Sequence, residues 1–291
     1  VIIFQSLFPD GAGNKRFYKK SAMKIKYLIF VSLVFLNGCG CEAIVNRLAF
    51  APAETATDVP EILSAGVREV YIRTADDIRL QCFFIPRRSS PGIIIYFHGN
   101  AGNIYERLPE LVNLSKTDIS VLGVGYRGYG KSTGKPSEKG IYLDGRAAIK
   151  YAMEELGYAR DEIFLCGRSI GSVVALELAR NNKFAGVILV TPLTSGQEIL
   201  RAHGYGPISL LVGDVIDNMK KLPDIFCPVL IIHGDKDEVV PWVMGQKIYS
   251  QLNVSKKMVT ISGGHHSDLE RVGDVLYHKS IAQFIRANSR G

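Results

Sequence analysis

From about residue 67 onward, short apolar runs alternate along the chain with stretches whose apolar residues recur at helical spacing. Residues 92–99 (GIIIYFHG), 119–125, 163–166, 186–190, 228–234 (PVLIIHG) and 257–262 are runs of strand length. The longest of them carry no polar alternation, which suits parallel strands covered on both faces. Residues 104–114, 141–156, 173–180, 240–252 and 275–288 are predicted helices. Residues 67–86 alternate apolar and polar positions around 75–77, the pattern of an antiparallel hairpin at a sheet edge. Residues 42–66, with Pro52 and Pro60, form a connector expected on the surface, and 191–227 make an excursion between two strands. Strands alternating with helices and no internal repeat predict an α/β fold, a mostly parallel central sheet flanked by helices with a short cap. The expected organisation is a leader (1–41), the connector (42–66) and one α/β domain (67–291).

One junction carries chemistry. The apolar run at 163–166 leads into Gly167-Arg168-Ser169-Ile170-Gly171, a G-x-S-x-G followed at once by a predicted helix. Strand, serine and helix in that order are what a nucleophile elbow needs. The tight turn demands small residues at Gly167 and Gly171, and the helix N-terminus favours developing negative charge near Ser169.

Three further blocks follow the carboxyl ends of predicted strands, the edge where open α/β sheets gather their sites. His98-Gly99-Asn100-Ala101-Gly102-Asn103 is a small-residue turn whose backbone N–H groups can face the serine. Asn100 N–H with Ile170 N–H is the expected oxyanion pair, with Ala101 N–H as the alternative to Asn100. His233-Gly234-Asp235-Lys236-Asp237-Glu238 offers three carboxylates to orient a histidine, of which Asp237 is preferred over Asp235 and Glu238. Gly263-Gly264-His265-His266 supplies the general base. His265 is preferred over His266 because it directly follows the glycine pair. His203 and His278 read as ordinary surface or helix residues. The order Ser169, Asp237, His265 is that of a Ser-Asp-His hydrolase triad and needs no cofactor and no metal.

A second motif points elsewhere. Residues 125–132 (GYRGYGKS) match the phosphate-binding G-x-x-x-x-G-K-[ST] pattern after a strand. That loop requires a helix starting at the lysine, and Gly134 and Pro136 oppose one there. A P-loop nucleotide hydrolase is therefore disfavoured.

The formal charge of +7 suggests a polyanionic partner until it is located. Residues 1–26 hold six basic residues against Asp10, so +5 of it belongs to the leader and no nucleic-acid partner is expected. From Met23 the chain runs Lys24-Ile25-Lys26, an apolar stretch at 27–36, then Asn37-Gly38-Cys39. These are the parts of a secretory signal, with an apolar core short of the roughly 20 residues a spanning helix needs. Leu36-Asn37-Gly38-Cys39 resembles a bacterial lipobox, although Asn37 departs from the usual small apolar residue. The expectation is a lipid-anchored Cys39 and an extracytoplasmic membrane lipoprotein. Secretion or a periplasmic location is the alternative. Cys41, Cys82, Cys166 and Cys227 show no metal-binding spacing, and no disulfide is expected.

With these blocks in order, residues 65–288 resemble the α/β-hydrolase superfamily. The likeness is to its membrane-associated serine hydrolases with HGNAGN (98–103) and GYRGYGKSxGxPSE (125–138) blocks. The resemblance implies Ser169 as nucleophile, Asp237 as acid and His265 as base. It implies cleavage of a carboxylic ester or thioester in a small-molecule or acylated substrate. A serine peptidase or amidase on the same fold is the enzymatic alternative, and a non-catalytic binding protein the other.

Overall fold

The computed structural model describes residues 50–52, 66–206, 209 and 216–290. Cys39, the leader and most of the connector lie outside the described residues. The sheet has eight strands: β1 (Arg68–Arg73), β2 (Arg79–Ile85), β3 (Ile93–Phe97), β4 (Ser120–Val124), β5 (Ile163–Arg168), β6 (Gly186–Val190), β7 (Val229–Gly234) and β8 (Lys256–Ile261). Their spatial order is β1-β2-β4-β3-β5-β6-β7-β8. β2 is antiparallel to both β1 and β4. The remaining neighbours are parallel. The chain goes from β3 outward to β4, then crosses back over β3 to β5, so the order reverses there. A cleft outside the strand ends is expected at such a reversal.

Why the apolar runs lack alternation is visible in the packing. In β3, Ile93, Ile95 and Phe97 face one core with α2 (Glu138–Glu154), α3 (Gly171–Ala179) and α5 (Trp242–Gln251). Ile94 and Tyr96 face the other, with α1 (Leu108–Ser115) and α6 (Leu269–Asn288). All five residues of β3 are fully buried. Both faces are covered, so neither parity has reason to be polar.

Helix boundaries depart from the expected ones for local reasons. α2 begins at Glu138, three residues early, because the Ser137 hydroxyl caps it by accepting the Gly140 N–H at 3.1 Å. The predicted helix at 104–114 opens with a 3₁₀ turn, Tyr105–Arg107, before α1, whose Pro109 sits in the first turn. α6 starts before the predicted 275 and bends at Asp274, where φ is 32°. At that bend a Cβ on Gly273 would meet Ile261 Cδ1 at 2.8 Å, so β8 sits tight against the helix. The connector is not wholly superficial. Phe50 is buried, and Ala51–Pro52 pairs in parallel with Ala101–Gly102 of the HGNAGN block.

The excursion carries α4 (Gly196–Ala202) and a 3₁₀ segment, Met219–Asp224. Ser195 caps α4 by accepting the Glu198 N–H at 3.1 Å. Asn218 closes the excursion onto its own start, its N–H donating to the Thr194 carbonyl at 2.8 Å.

The turn between β5 and α3 is tightly packed. A Cβ on Gly167 would strike the Gly171 carbonyl, and one on Gly171 would strike the Phe97 carbonyl. Neither glycine is needed for a left-handed φ; both are needed for space. Gly171→Ala is expected to destabilise the fold by about 1–3 kcal/mol, the usual cost of overpacking. The fall should appear in the urea midpoint, and an unchanged midpoint would show that α3 can retreat from β3.

Candidate active site

Ser169 occupies the turn between β5 and α3 with φ 53°, a left-handed conformation uncommon for a residue with a side chain. Its N–H donates to the Val190 carbonyl at 2.8 Å, and its own carbonyl accepts the Ser172 N–H at 2.9 Å. The next residue, Ile170, is buried in the core. The serine side is therefore fixed from three directions: β6, the first turn of α3 and the core.

The HGNAGN block runs alongside. A Cβ built on Gly99 would lie 3.6 Å from the Ser169 Cβ, so Asn100 follows a residue in van der Waals range of the nucleophile. Two tyrosines of the block at 125–138 brace this turn. Tyr126 Oη donates to the His98 carbonyl at 3.1 Å, and Tyr129 Oη donates to the Asn100 carbonyl at 3.1 Å. The Tyr129 bond constrains the Asn100–Ala101 peptide plane, which carries the alternative donor Ala101 N–H, while the plane of the Asn100 N–H is contacted through the Gly99 carbonyl by the His98 ring. The His98 ring stacks on Tyr126 with centroids 4.4 Å apart, and Nδ1 lies 2.7 Å from the Gly99 carbonyl. Burial pushes its pKa down to about 3, so the ring is neutral.

The block that resembles a P-loop is a brace too. Arg127 is buried, its Nε donating to Asp144 Oδ1 at 2.8 Å and its two terminal nitrogens to Asp76 at 2.7 and 3.0 Å. Lys131 Nζ pairs with Glu69 at 3.2 Å, and the helix begins only at Glu138. No helix N-terminus lies at the lysine to receive a phosphate, so this segment lacks the P-loop arrangement.

On the acid side, the Asp237 side chain is buried. Its Oδ1 accepts the N–H groups of Val239 and Val240 at 3.0 and 2.8 Å. Asp237 Oδ2 lies 2.9 Å from His266 Nδ1 and 3.4 Å from His233 Nε2. Burial acts to raise the Asp237 pKa, but hydrogen bonds from His233, His266 and the Val240 N–H outweigh it. They hold the carboxyl well below the usual carboxylate range. Asp235 Oδ1 instead accepts the Gly263 N–H at 2.7 Å, and Glu238 bonds His265.

The structure brings the other histidine of the pair to Asp237. His265 is exposed, and its Nδ1 lies 2.9 Å from Glu238 Oε2, a contact that raises its pKa. His266 is the histidine brought to Asp237, with its side chain 15% exposed. Asp268 sets the register by accepting the His265 N–H at 2.7 Å. His265 and His266 lie in the irregular turn between β8 and α6, where no strand or helix repeat fixes which parity faces Asp237. Proximity to the glycine pair carries no information about that parity. With Nδ1–H donating to Asp237, the lone pair of His266 is on Nε2, the tautomer a general base requires. The loop is tied to the residue before Ser169, Arg168, whose Nη2 donates to the His266 carbonyl at 3.1 Å. Arg168 went unnoticed in the sequence because it occupies a variable position of G-x-S-x-G. His203, expected to be ordinary, lies at the end of α4 with Nε2 2.9 Å from the Val239 carbonyl, joining the cap to the acid loop.

Comparison with known proteins agrees with this architecture. Residues 88–222 match the family model described as serine aminopeptidase, S33. The Caenorhabditis elegans alpha/beta hydrolase domain-containing protein aho-3 is 32% identical over 248 residues, covering 78% of this chain and 74% of that protein. Human alpha/beta hydrolase domain-containing protein 17C is 33% identical over 222 residues, covering 76% and 66%. Among solved structures, a Pyrococcus furiosus esterase superposes with a TM-score of 0.71 at 20% identity, covering 83% of this chain and 99% of that one. An alpha-beta hydrolase of Vibrio vulnificus gives 0.65 at 23% identity, covering 77% and 82%. The chain belongs to the α/β-hydrolase superfamily.

The neutral, buried His98 makes stability pH-dependent. Its folded pKa of about 3 lies below the ordinary 6.5, so the unfolded chain binds a proton that the folded one refuses. Its contribution is complete above pH 6.5 and is lost as pH falls toward 3. Asp237, also depressed, adds a loss below the unfolded carboxylate range. The urea midpoint should fall from pH 7 to pH 4, and His98→Asn should flatten the fall above the carboxylate range. An equal slope in the variant would show that His98 is not the group responsible.

Proposed function

We propose that this protein is a serine hydrolase cleaving carboxylic ester or thioester bonds through an acyl-enzyme. Ser169 is the nucleophile, His266 the general base and Asp237 its partner. The observation that carries the reading is the 2.9 Å contact of the buried Asp237 carboxylate with His266 Nδ1, on a loop tied to the residue before Ser169. His266 Nε2 takes the hydroxyl proton as Ser169 Oγ attacks the substrate carbonyl carbon. The bond to the leaving oxygen or sulfur then breaks, and the leaving group departs with that proton. Water activated by the same imidazole releases the acid. Backbone N–H groups of Ile170 and Asn100 hold the oxyanion, each such donor typically contributing about 10²–10³ in rate.

Ser169→Ala and His266→Ala are each expected to lower kcat on p-nitrophenyl butyrate by about 10³-fold or more, while His265→Ala stays within about threefold. A fluorophosphonate should label wild type and not Ser169→Ala. Full turnover in His266→Ala with loss in His265→Ala would return the base to His265. Absent labelling of wild type would favour a binding protein. The description of the matching family as serine aminopeptidase favours one second reading, amide cleavage. Faster turnover of an aminoacyl p-nitroanilide than of the ester would select it.

We also propose that Cys39, on its lipobox-like sequence, carries a lipid that holds the enzyme at a membrane outside the cytoplasm. Cells fed an alkyne fatty acid should incorporate it into the wild-type protein and not into Cys39→Ala. Equal incorporation in both would refute the assignment.

A further inference from the structure

We propose that Arg168 is a positioning residue for the general base, fixing the His266 loop against the strand that ends at the nucleophile. The proposal rests on the triad reading above. Arg168 is the last residue of β5, and its side chain is 12% exposed. One terminal nitrogen, Nη1, donates to Glu110 Oε2 of α1 at 3.1 Å, and the other, Nη2, donates to the His266 carbonyl at 3.1 Å. Those partners lie 58 and 98 residues away in the chain. One planar guanidinium therefore joins α1, β5 and the base loop in a fixed relation.

Stability alone gives little reason for this arrangement. A buried ion pair is often no more stabilising than apolar side chains of equal volume, because both charges lose their hydration. Glu110 Oε1 and the Tyr96 hydroxyl are themselves buried without a hydrogen-bond partner among the described residues. What the pair does supply is placement. The contacts that Asp237 and Asp268 make set the rotation and register of the base loop. Neither sets its distance from β5. The Arg168 bond to the His266 carbonyl spans that gap, from the residue covalently attached to Ser169. A shift of about 1 Å between base and nucleophile costs on the order of 10²-fold in rate.

The test uses Arg168→Lys, which keeps one charge but cannot fork, and Arg168→Met/Glu110→Gln, which leaves the interior neutral. Turnover of p-nitrophenyl butyrate is measured per folded protein, with folding checked by circular dichroism and thermal melting. The double variant should lose about 10- to 100-fold in kcat with KM within about threefold, and Arg168→Lys should fall between it and wild type. On a His266→Ala background the same changes should cost less than about twofold of the residual rate, since the base they position is gone. A kcat within twofold of wild type in the folded double variant overturns the proposal, as does an equal loss with and without His266. If Ser169→Ala and His266→Ala themselves retain turnover, the triad reading fails instead. If they abolish it while the Arg168 variants do not, this inference fails alone.

Discussion

The active edge of the domain depends on a single close approach, α3 against the end of β3. With Gly171 on the Phe97 carbonyl and Gly167 on the Gly171 carbonyl, the chain has no room to leave β5 gradually. It must reverse within one residue, and that residue is Ser169 with its left-handed φ. Such a conformation costs on the order of 1–3 kcal/mol and persists only where surrounding contacts over-determine it. Here the Val190 carbonyl, the Ser172 N–H and burial of Ile170 do so. Strain and close packing together lift the hydroxyl above the sheet, where no flexible turn would hold it.

Around that fixed point, three loops are held by different chemistry. Tyrosine hydroxyls brace the HGNAGN turn through backbone carbonyls. The acid loop folds on its own carboxylate, Asp237 Oδ1 taking two backbone N–H groups while Oδ2 is left for imidazole. The base loop is pinned by Asp268 from within and by Arg168 from without. Each brace uses a polar group satisfied inside the protein, as a buried hydrogen-bonding group must be. The orientation of the site is thus set before any substrate arrives.

How far this could be read in advance follows from the kind of interaction. The central strands were legible because burial on both faces removes polar residues from runs such as Ile93–Phe97. The elbow was legible because its geometry admits glycine at both Gly167 and Gly171, and the choice of Asp237 among three carboxylates has geometric support as well. His266 was not legible, because the parity of two neighbouring histidines depends on the Asp268 side chain folding back on the chain. Nor was Arg168, whose partners are distant in sequence. Gly134 and Pro136 spoke against a helix at the lysine of the P-loop-like segment, and the helix begins only at Glu138. The structural function of that segment, through Arg127, Asp144 and Asp76, has no local signature at all.

The same distinction explains the cap. Its return leg is fixed by Lys221, which is 5% exposed, with Nζ donating to Tyr142 Oη at 2.9 Å and to the Val173 carbonyl at 3.0 Å. Burial lowers its pKa to about 8, a sign of how much hydration it has surrendered. An apolar residue would fill that space at less cost but would not choose one carbonyl of α3. Asn218 chooses another partner on the same helix, Nδ2 lying 3.3 Å from Ser172 Oγ, while α4 is tied to α5 by Glu198 and Lys247 at 3.0 Å. The excursion is thereby referenced at its return to the helix that follows Ser169, and at α4 to the elements that follow Asp237. Groups that contribute little net stability can still fix where a substrate-facing segment sits, because hydrogen bonds are directional and apolar contacts are not.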